Sequence, residues 1–259
     1  MSVVGTRRVL VTGGGSGIGR AVVDRLCAGG ARVVVVGRRA DRLDAACAAW
    51  PGQVWALPCD LGDPTARTGL VARARDLLGG LDGLVHSAGN VVHQPPGHID
   101  ETALRAQIEL NLIAPLRLGE EALSVLDEGG GVVFVASTLA WRPVRTSAAY
   151  SAAKAGLLAA MASLALEGAP RRVRFNAVAP GLVDTEMIRA LRLAPGEPVP
   201  AGAAYDERLR AQLDALRGLH PLGRLGTPDD VAAAIVHLLG APWCTGSTLR
   251  IDGGLLLRE

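Results

Sequence analysis

Tyr150 and Lys154 stand four residues apart in Tyr150-Ser151-Ala152-Ala153-Lys154. Lys154 is the only lysine among 27 lysine and arginine residues, and Tyr150 is one of 2 tyrosines. Arginine supplies positive charge everywhere else, so position 154 calls for what a guanidinium cannot provide: a compact ammonium whose pKa can be moved. The Ala- and Leu-rich stretch that follows predicts a helix, and residues at i and i+4 share one helix face. Phenol and ammonium then point into the same space. A cation held there favours phenolate and is expected to bring the tyrosine pKa down from about 10 towards the working range of a general acid/base. Taken alone, a Tyr-x-x-x-Lys spacing fits an arbitrary surface pair equally well, and its surroundings have to decide.

A second stretch with chemical meaning is Thr12-Gly13-Gly14-Gly15-Ser16-Gly17-Ile18-Gly19. Glycines there allow a tight turn, close approach of a pyrophosphate to the backbone, and packing of the next helix on the preceding strand. A helix opening at this point offers unpaired N–H groups and a positive dipole end to phosphates. Placed after the first strand, the turn is a dinucleotide signal.

The elements that would position these residues follow from short β-branched runs alternating with helical ones. Strands are predicted at 8–12, 32–37, 54–57, 83–87, 132–137, 173–178 and 247–251, and helices at 18–28, 41–49, 64–78, 101–126, 151–167 and 228–239. The strands are continuously apolar, as expected when both sheet faces are covered. The last helix opens with Thr227-Pro228-Asp229-Asp230, an N-cap, a proline at the first helical position and acids in the first turn. This pattern predicts a Rossmann-like doubly wound α/β fold: one domain over 1–259, with a seven-stranded, mostly parallel sheet and helices on both faces. Region 182–226 stands out as irregular, because its 194–202 segment is too rich in Pro and Gly for a continuous helix. It is expected to form a substrate-binding lid.

Composition narrows the class. The length suits one large α/β domain with a buried core. A formal net charge of +2, with no basic run, does not point to nucleic acid. Cys27, Cys47, Cys59 and Cys244 lack metal-ligand spacing and read as reduced thiols, so no metal site is expected. The apolar run near the N-terminus breaks at Gly13, and no uninterrupted apolar stretch reaches spanning length; the expectation is a cytoplasmic protein without membrane segments.

Taken together, these residues resemble the short-chain dehydrogenase/reductase family over essentially the whole chain. Thr12 to Gly19 match its cofactor turn, with Gly13, Ser16, Gly17, Ile18 and Gly19 as the contacting residues. Asp60-Leu61 match the acidic position after the third strand that contacts adenine, and Ser87-Ala88-Gly89 lie where the family has Asn-Ala-Gly. Asn111, Ser137, Tyr150 and Lys154 match the catalytic tetrad in order and approximate spacing. Pro180 and Gly181, followed by Val183 and Thr185, match the nicotinamide-side loop, and Asp252-Gly253-Gly254 the end of the last strand. One departure is His86-Ser87 in place of Asn-Asn, which is expected to affect local packing more than activity.

The resemblance implies that Tyr150 exchanges a proton with a carbonyl or hydroxyl oxygen while hydride moves at carbon. It further implies that Lys154 holds the nicotinamide ribose and favours the phenolate, that Ser137 orients the substrate oxygen, and that Asn111 holds a relay water. The second strand ends Gly37-Arg38-Arg39, where NAD-preferring relatives tend to place an acid at position 37. With no carboxylate to repel a 2′-phosphate and two guanidiniums to pair with it, NADP(H) is expected over NAD(H).

Substrate walls are expected from 91–94, 139–145 and the lid. Leu139, Trp141, Leu182 and Met187, with Tyr205, would make a mainly apolar pocket, and His93, Arg142 and Arg145 polar contacts. A medium-sized ketone or secondary alcohol fits; so does a carrier-bound acyl thioester, for which Arg171-Arg172 could supply charge. The alternatives are an NAD-dependent alcohol dehydrogenase working oxidatively and a non-catalytic dinucleotide sensor, for which Tyr150–Lys154 would have no use. Family members commonly pair through the two long helices and the last helix and strand. The small residues of 152–162 and the apolar Leu255-Leu256-Leu257 therefore predict a homotetramer, or a dimer if only one interface forms.

Overall fold

The computed structural model describes residues 7–193 and 196–257. Its strands are β1 (Arg8–Thr12), β2 (Arg32–Gly37), β3 (Val54–Pro58), β4 (Gly83–His86), β5 (Gly131–Val135), β6 (Arg174–Pro180) and β7 (Thr248–Ile251). They form one sheet in the order β3-β2-β1-β4-β5-β6-β7. Every pairing is parallel, so the sheet is wholly rather than mostly parallel.

Alternate residues of each strand feed two apolar layers. On one face Val9, Val11, Val33 and Val35 pack with α1 (Gly17–Ala28), α2 (Ala40–Ala49) and α10 (Pro228–Gly240). On the other, Leu10, Val34, Val132 and Phe134 pack with α4 (Leu70–Leu78), α6 (Ala114–Val125) and α7 (Ala148–Gly168). Burial on both faces explains why the strands read as unbroken Val/Leu runs rather than alternating ones. The capping box of α10 forms as its sequence indicates, Thr227 Oγ1 accepting from Asp230 N and Asp230 Oδ2 from Thr227 N.

Three helical expectations need correction. The helix expected at 64–78 is two, α3 (Pro64–Arg67) and α4, because Gly69 takes a left-handed φ of 67° between them. The one expected at 101–126 runs as α5 (Glu101–Ile108), a π-turn over Glu109–Ile113, and α6. The lid region is not wholly irregular: it holds α8 (Glu186–Arg189) and the 15-residue α9 (Ala203–Arg217). Leu209, Leu213 and Leu216 recur at helical spacing on α9, a signal present in the sequence; Leu213 and Leu216 pack with Leu225 into a small separate core. Of the 194–202 segment, Ala194 and Pro195 lie outside the described residues, and the rest is non-helical.

Ala148–Arg171 is long and apolar enough, by length and composition, to cross a membrane, with Lys154 and Glu167 interrupting its apolar run. In the fold this stretch lays Ala153, Leu157, Met161 and Leu164 against the sheet and buries Lys154.

Candidate active site

After β1 the chain moves outward to β2 and β3, then returns to β4 on the other side of β1. That reversal opens a crevice at the strands' carboxyl ends, where doubly wound sheets bind ligands. The cleft there has a volume of about 770 Å³. Its floor is the glycine turn. A Cβ on Gly13, at φ 68°, would lie 2.9 Å from Ala88 N, and one on Gly19 would strike the Gly13 carbonyl. The turn is therefore pressed against the β4 loop on one side and the start of α1 on the other, leaving its open side to a ligand. Ser16 caps α1 without a side-chain hydrogen bond, and no acid sits in the first turn, so the helix N-terminus suits phosphate. A dinucleotide fits these residues. Gly13, Ser16, Gly17, Ile18, Asp60, Leu61, Ser87, Ala88, Gly89, Pro180, Gly181, Val183 and Thr185 all line the cleft. Gly19 does not; its part is the close packing beneath the turn.

Four elements bring the predicted chemical residues together. Ser137 follows β5 and caps a 3₁₀ turn, Thr138–Ala140, its Oγ accepting from Leu139 N at 3.1 Å. Tyr150 and Lys154 project from the first turns of α7, with Lys154 Nζ 5.6 Å from the centre of the tyrosine ring. Lys154 is buried and donates to the Val135 carbonyl at 2.9 Å. Asn111 sits fully buried in the π-turn, an insertion common at functional sites. Its Nδ2 donates to the carbonyls of Asn90 (3.0 Å) and Gln107 (2.9 Å), while its buried Oδ1 has no partner among the described residues. A Cβ on Gly89 would lie 2.8 Å from that Oδ1 and 3.7 Å from Lys154 Nζ. Glycine at 89 thus keeps open a small polar space that the amide and the ammonium share.

The electrostatics of the pair depart from the sequence expectation. Burial pushes the Tyr150 phenol up to about 12, partly offset by a hydrogen bond with the Ser137 side chain. Burial alone lowers Lys154 to about 8. Desolvation is the largest influence on both groups, and Nζ gives its hydrogen bond to the Val135 carbonyl. His86, the departure from the family's Asn, is fully buried below this site. Its Nδ1 lies 3.1 Å from Thr12 Oγ1, which also accepts from Ala88 N at 3.3 Å. Burial, and then the charge of Lys154, lower His86 to about 3, so the ring stays neutral and braces the β1–β4 junction.

At the adenosine end, Arg38 and Arg39 line the cleft as expected. Arg42, on α2, joins them and escaped the sequence reading. It lies in the first turn of α2, three residues after the N-cap Arg39, and the run Arg38-Arg39-Ala40-Asp41-Arg42 was the available signal.

At the other end the apolar wall holds Leu139, Leu182 and Met187 as predicted, with His93 and Arg142 among them. Trp141 and Arg145 do not line the cleft, and Trp141 stands 49% exposed; the 3₁₀ turn rotates it outward. Tyr205, on the outer part of α9, is also absent from the wall. Leu255 and Leu256, expected at an interface, also line the cleft from the C-terminal turn, whose N–H groups are held by Asp252. Two more residues brace this end. Thr146, at a strained φ of 66°, lies 3.0 Å from His93 Nδ1 through its hydroxyl, and its carbonyl accepts from Gln94 N. Buried His220 accepts from Leu182 N through Nε2, tying the lid to the end of β6.

Arg171 and Arg172 are far from the mouth. They precede β6 at the amino ends of the strands, opposite the cleft, about 20 Å along that strand. Arg171 donates to the Leu123 and Leu126 carbonyls and Arg172 pairs with Glu128, so they cannot attract a carrier to the cleft.

A crevice at the switch point, a phosphate-ready glycine turn and a phenol beside a buried ammonium define a dinucleotide-dependent oxidoreductase. Comparison with known proteins agrees. The family profile described as short chain dehydrogenase matches residues 7–195. Carbonyl reductase family member 4 of Xenopus tropicalis is 31% identical over 255 residues, covering 98% of this chain and 99% of that protein. D-erythrulose reductase of Gallus gallus is 33% identical over 256 residues, covering 97% and 96%. Among solved structures, a short chain dehydrogenase from Burkholderia cenocepacia in complex with NADP superposes with a TM-score of 0.84 at 32% identity, covering 98% of this chain and 99% of that one. The chain belongs to the short-chain dehydrogenase/reductase family and is an NAD(P)-dependent oxidoreductase acting on small molecules.

Proposed function

We propose that this protein is an NADP(H)-dependent ketone reductase of small or medium-sized carbonyl compounds. The observation that carries the reading is the meeting of Ser137, Tyr150 and Lys154 at one end of a cleft whose other end gathers Arg38, Arg39 and Arg42. When bound, the nicotinamide supplies the hydride. The Ser137 hydroxyl and the Tyr150 phenol converge on one substrate oxygen, and Tyr150 gives it the proton as negative charge develops there. A phenol pushed up to about 12 is protonated at neutral pH, the form that reduction needs. Lys154 replenishes charge and proton through the space it shares with Asn111. The three arginines favour a 2′-phosphate, since charge-assisted hydrogen bonds at about 1.5–3 kcal/mol give ten- to hundredfold discrimination.

The pocket favours a substrate with an apolar body. Arg142, Arg192 and His93 lie at the substrate end, and the carboxylates lining the cleft, Asp60 and Glu186, are both at the adenosine end. An anionic group on the substrate, free or on a carrier, suits that distribution. A homotetramer is part of the same proposal: Leu166, Trp243 and Leu257 are 78%, 100% and 78% exposed on the helix and C-terminal surfaces that would pair. Light scattering tests it, and a monomeric mass would overturn it.

The catalytic reading is tested by following nicotinamide absorbance over a panel of ketones and secondary alcohols with both cofactors. Reduction with NADPH should exceed that with NADH by at least about tenfold in kcat/KM. Tyr150→Phe should lower the rate on the best substrate by about 10²–10⁴-fold. Equal rates for wild type and variant would remove Tyr150 from the mechanism.

A further inference from the structure

The adenosine end of the cleft already contains an anion. Glu186, the first residue of α8, places Oε2 2.8 Å from Arg39 Nη1 and Oε1 2.9 Å from Arg42 Nη2. Its carboxylate therefore bridges two of the three guanidiniums that line this end. Arg39 Nη2 also donates to Ser16 Oγ at 2.8 Å, which aims the guanidinium at the glycine turn rather than at open solvent. The preceding residue, Thr185, lies over Gly17, where an added Cβ would meet its Cγ2 at 3.3 Å. Thus the start of the lid rests on the cofactor turn and is fastened to the arginine cluster by one side chain. All three partners are about half exposed, at 51%, 48% and 55% of their side chains for Arg39, Arg42 and Glu186.

Resting on the reading that a 2′-phosphate binds between these arginines, we propose that Glu186 is an internal competitor for that phosphate. Its carboxylate holds Arg39 and Arg42 while the site is empty and is exchanged for the incoming anion. The chemistry favours the exchange. Exposed carboxylate–guanidinium pairs are weak and screened by salt, whereas a phosphate monoester brings up to two charges and three acceptor oxygens to the same donors. A cofactor without the 2′-phosphate leaves the Glu186 bridges in place, so Glu186 sets the affinity of one cofactor class and not of the other. The exchange also releases the tie between the lid and the adenosine site.

Glu186→Gln keeps the shape and removes the charge. Calorimetry on the full-length variant, without substrate, would measure binding of 2′,5′-ADP and NADP⁺ against 5′-AMP and NAD⁺. Removing two exposed pairs should tighten the 2′-phosphorylated ligands by roughly three- to tenfold and change the others by less than about twofold. The difference between variant and wild type should shrink in high salt. Glu186→Ala should behave alike, and unfolding curves of both variants should match wild type. Unchanged or weaker binding of 2′,5′-ADP by the variants would overturn the proposal, as would equal tightening of all four ligands. The underlying cofactor reading fails differently, by wild type binding NAD⁺ more tightly than NADP⁺; the effect of Glu186→Gln on 2′,5′-ADP is read independently of that result.

Discussion

The catalytic floor and the lid sit on opposite sides of the same cleft and are built differently. On the floor Lys154, Asn111 and Ser137 are locked to backbone: Lys154 to the Val135 carbonyl, Asn111 to those of Asn90 and Gln107, Ser137 to Leu139 N. Beneath them lies the continuous apolar layer that includes Phe134, Leu157 and Phe175. Among the described residues the lid has a small core, Leu213, Leu216 and Leu225 with Leu209 against them, leaves Val199 and Leu222 about 70% exposed, and is tied down by the surface ion pairs of Glu186 with Arg39 and Arg42. The difference shows where rigidity is needed. Proton transfer depends on distances held within a fraction of an ångström, whereas ligand passage needs contacts that can be exchanged at little cost.

The contrast is broken most severely at Lys154. Lys154→Met should lower kcat by about 10²–10³-fold, since it removes the ammonium beside Tyr150. The same change should leave the unfolding temperature at pH 7 unaltered or higher, because burial disfavours the ammonium. The sign with pH follows from a pKa near 8 in the folded chain against an ordinary value of 10.5. Between those values the unfolded chain keeps a proton that the folded one has released, so wild-type stability gains as pH rises. The variant's advantage should shrink across that window; a gap that stays constant would show that Lys154 keeps its proton in the folded chain throughout.

Gly19→Ala tests the packing under the cofactor turn. Its Cβ would strike the Gly13 carbonyl, costing about 1–3 kcal/mol in denaturant titration and weakening dinucleotide binding by at least about tenfold. Undiminished binding by calorimetry would show that the turn can shift without loss.

A paired truncation sharpens the comparison. Leu157→Ala, in the floor's layer, should cost about 2–5 kcal/mol of global stability. Leu213→Ala should cost under about 2 kcal/mol globally, and appear chiefly as faster limited proteolysis within 182–226 and a higher KM. Equal global losses would mean that lid and floor unfold as one unit.

The smallest expected effect is a pH profile. For carbonyl reduction, kcat/KM should be level from about pH 6 to 7.5 and fall with unit slope above about 8, as Lys154 loses its proton. Tyr150, at about 12, and His86, at about 3, should leave no inflection between pH 5 and 7. An inflection there would place an imidazole in the proton path.

Local sequence determined a good deal. The strand positions were legible because burial on both faces demands unbroken runs such as Val33 to Val36. The glycine turn and the Tyr150–Lys154 pair were legible because each depends on backbone conformation or spacing within a few residues. The α9 helix was legible in principle, through Leu209, Leu213 and Leu216, but the neighbouring Pro- and Gly-rich segment masked it.

Tertiary structure decided the rest. Which way the 3₁₀ turn after Ser137 carries Trp141, and whether Leu255 and Leu256 meet solvent or the cleft, depend on segments far apart in the chain. Arg171 and Arg172 look available in sequence, yet the strand direction places them at the amino ends of the strands, opposite the cleft. The phenol and ammonium pKa values ran against the pairwise expectation because desolvation is a property of the whole surrounding volume, and the Val135 carbonyl takes the proton donor that spacing alone assigned to Tyr150. Glu186 is the clearest case. Nothing in its neighbours announces it, and only the fold of the lid over the cofactor turn brings one carboxylate between Arg39 and Arg42, because electrostatic contacts are set by distance in space and not by position along the chain.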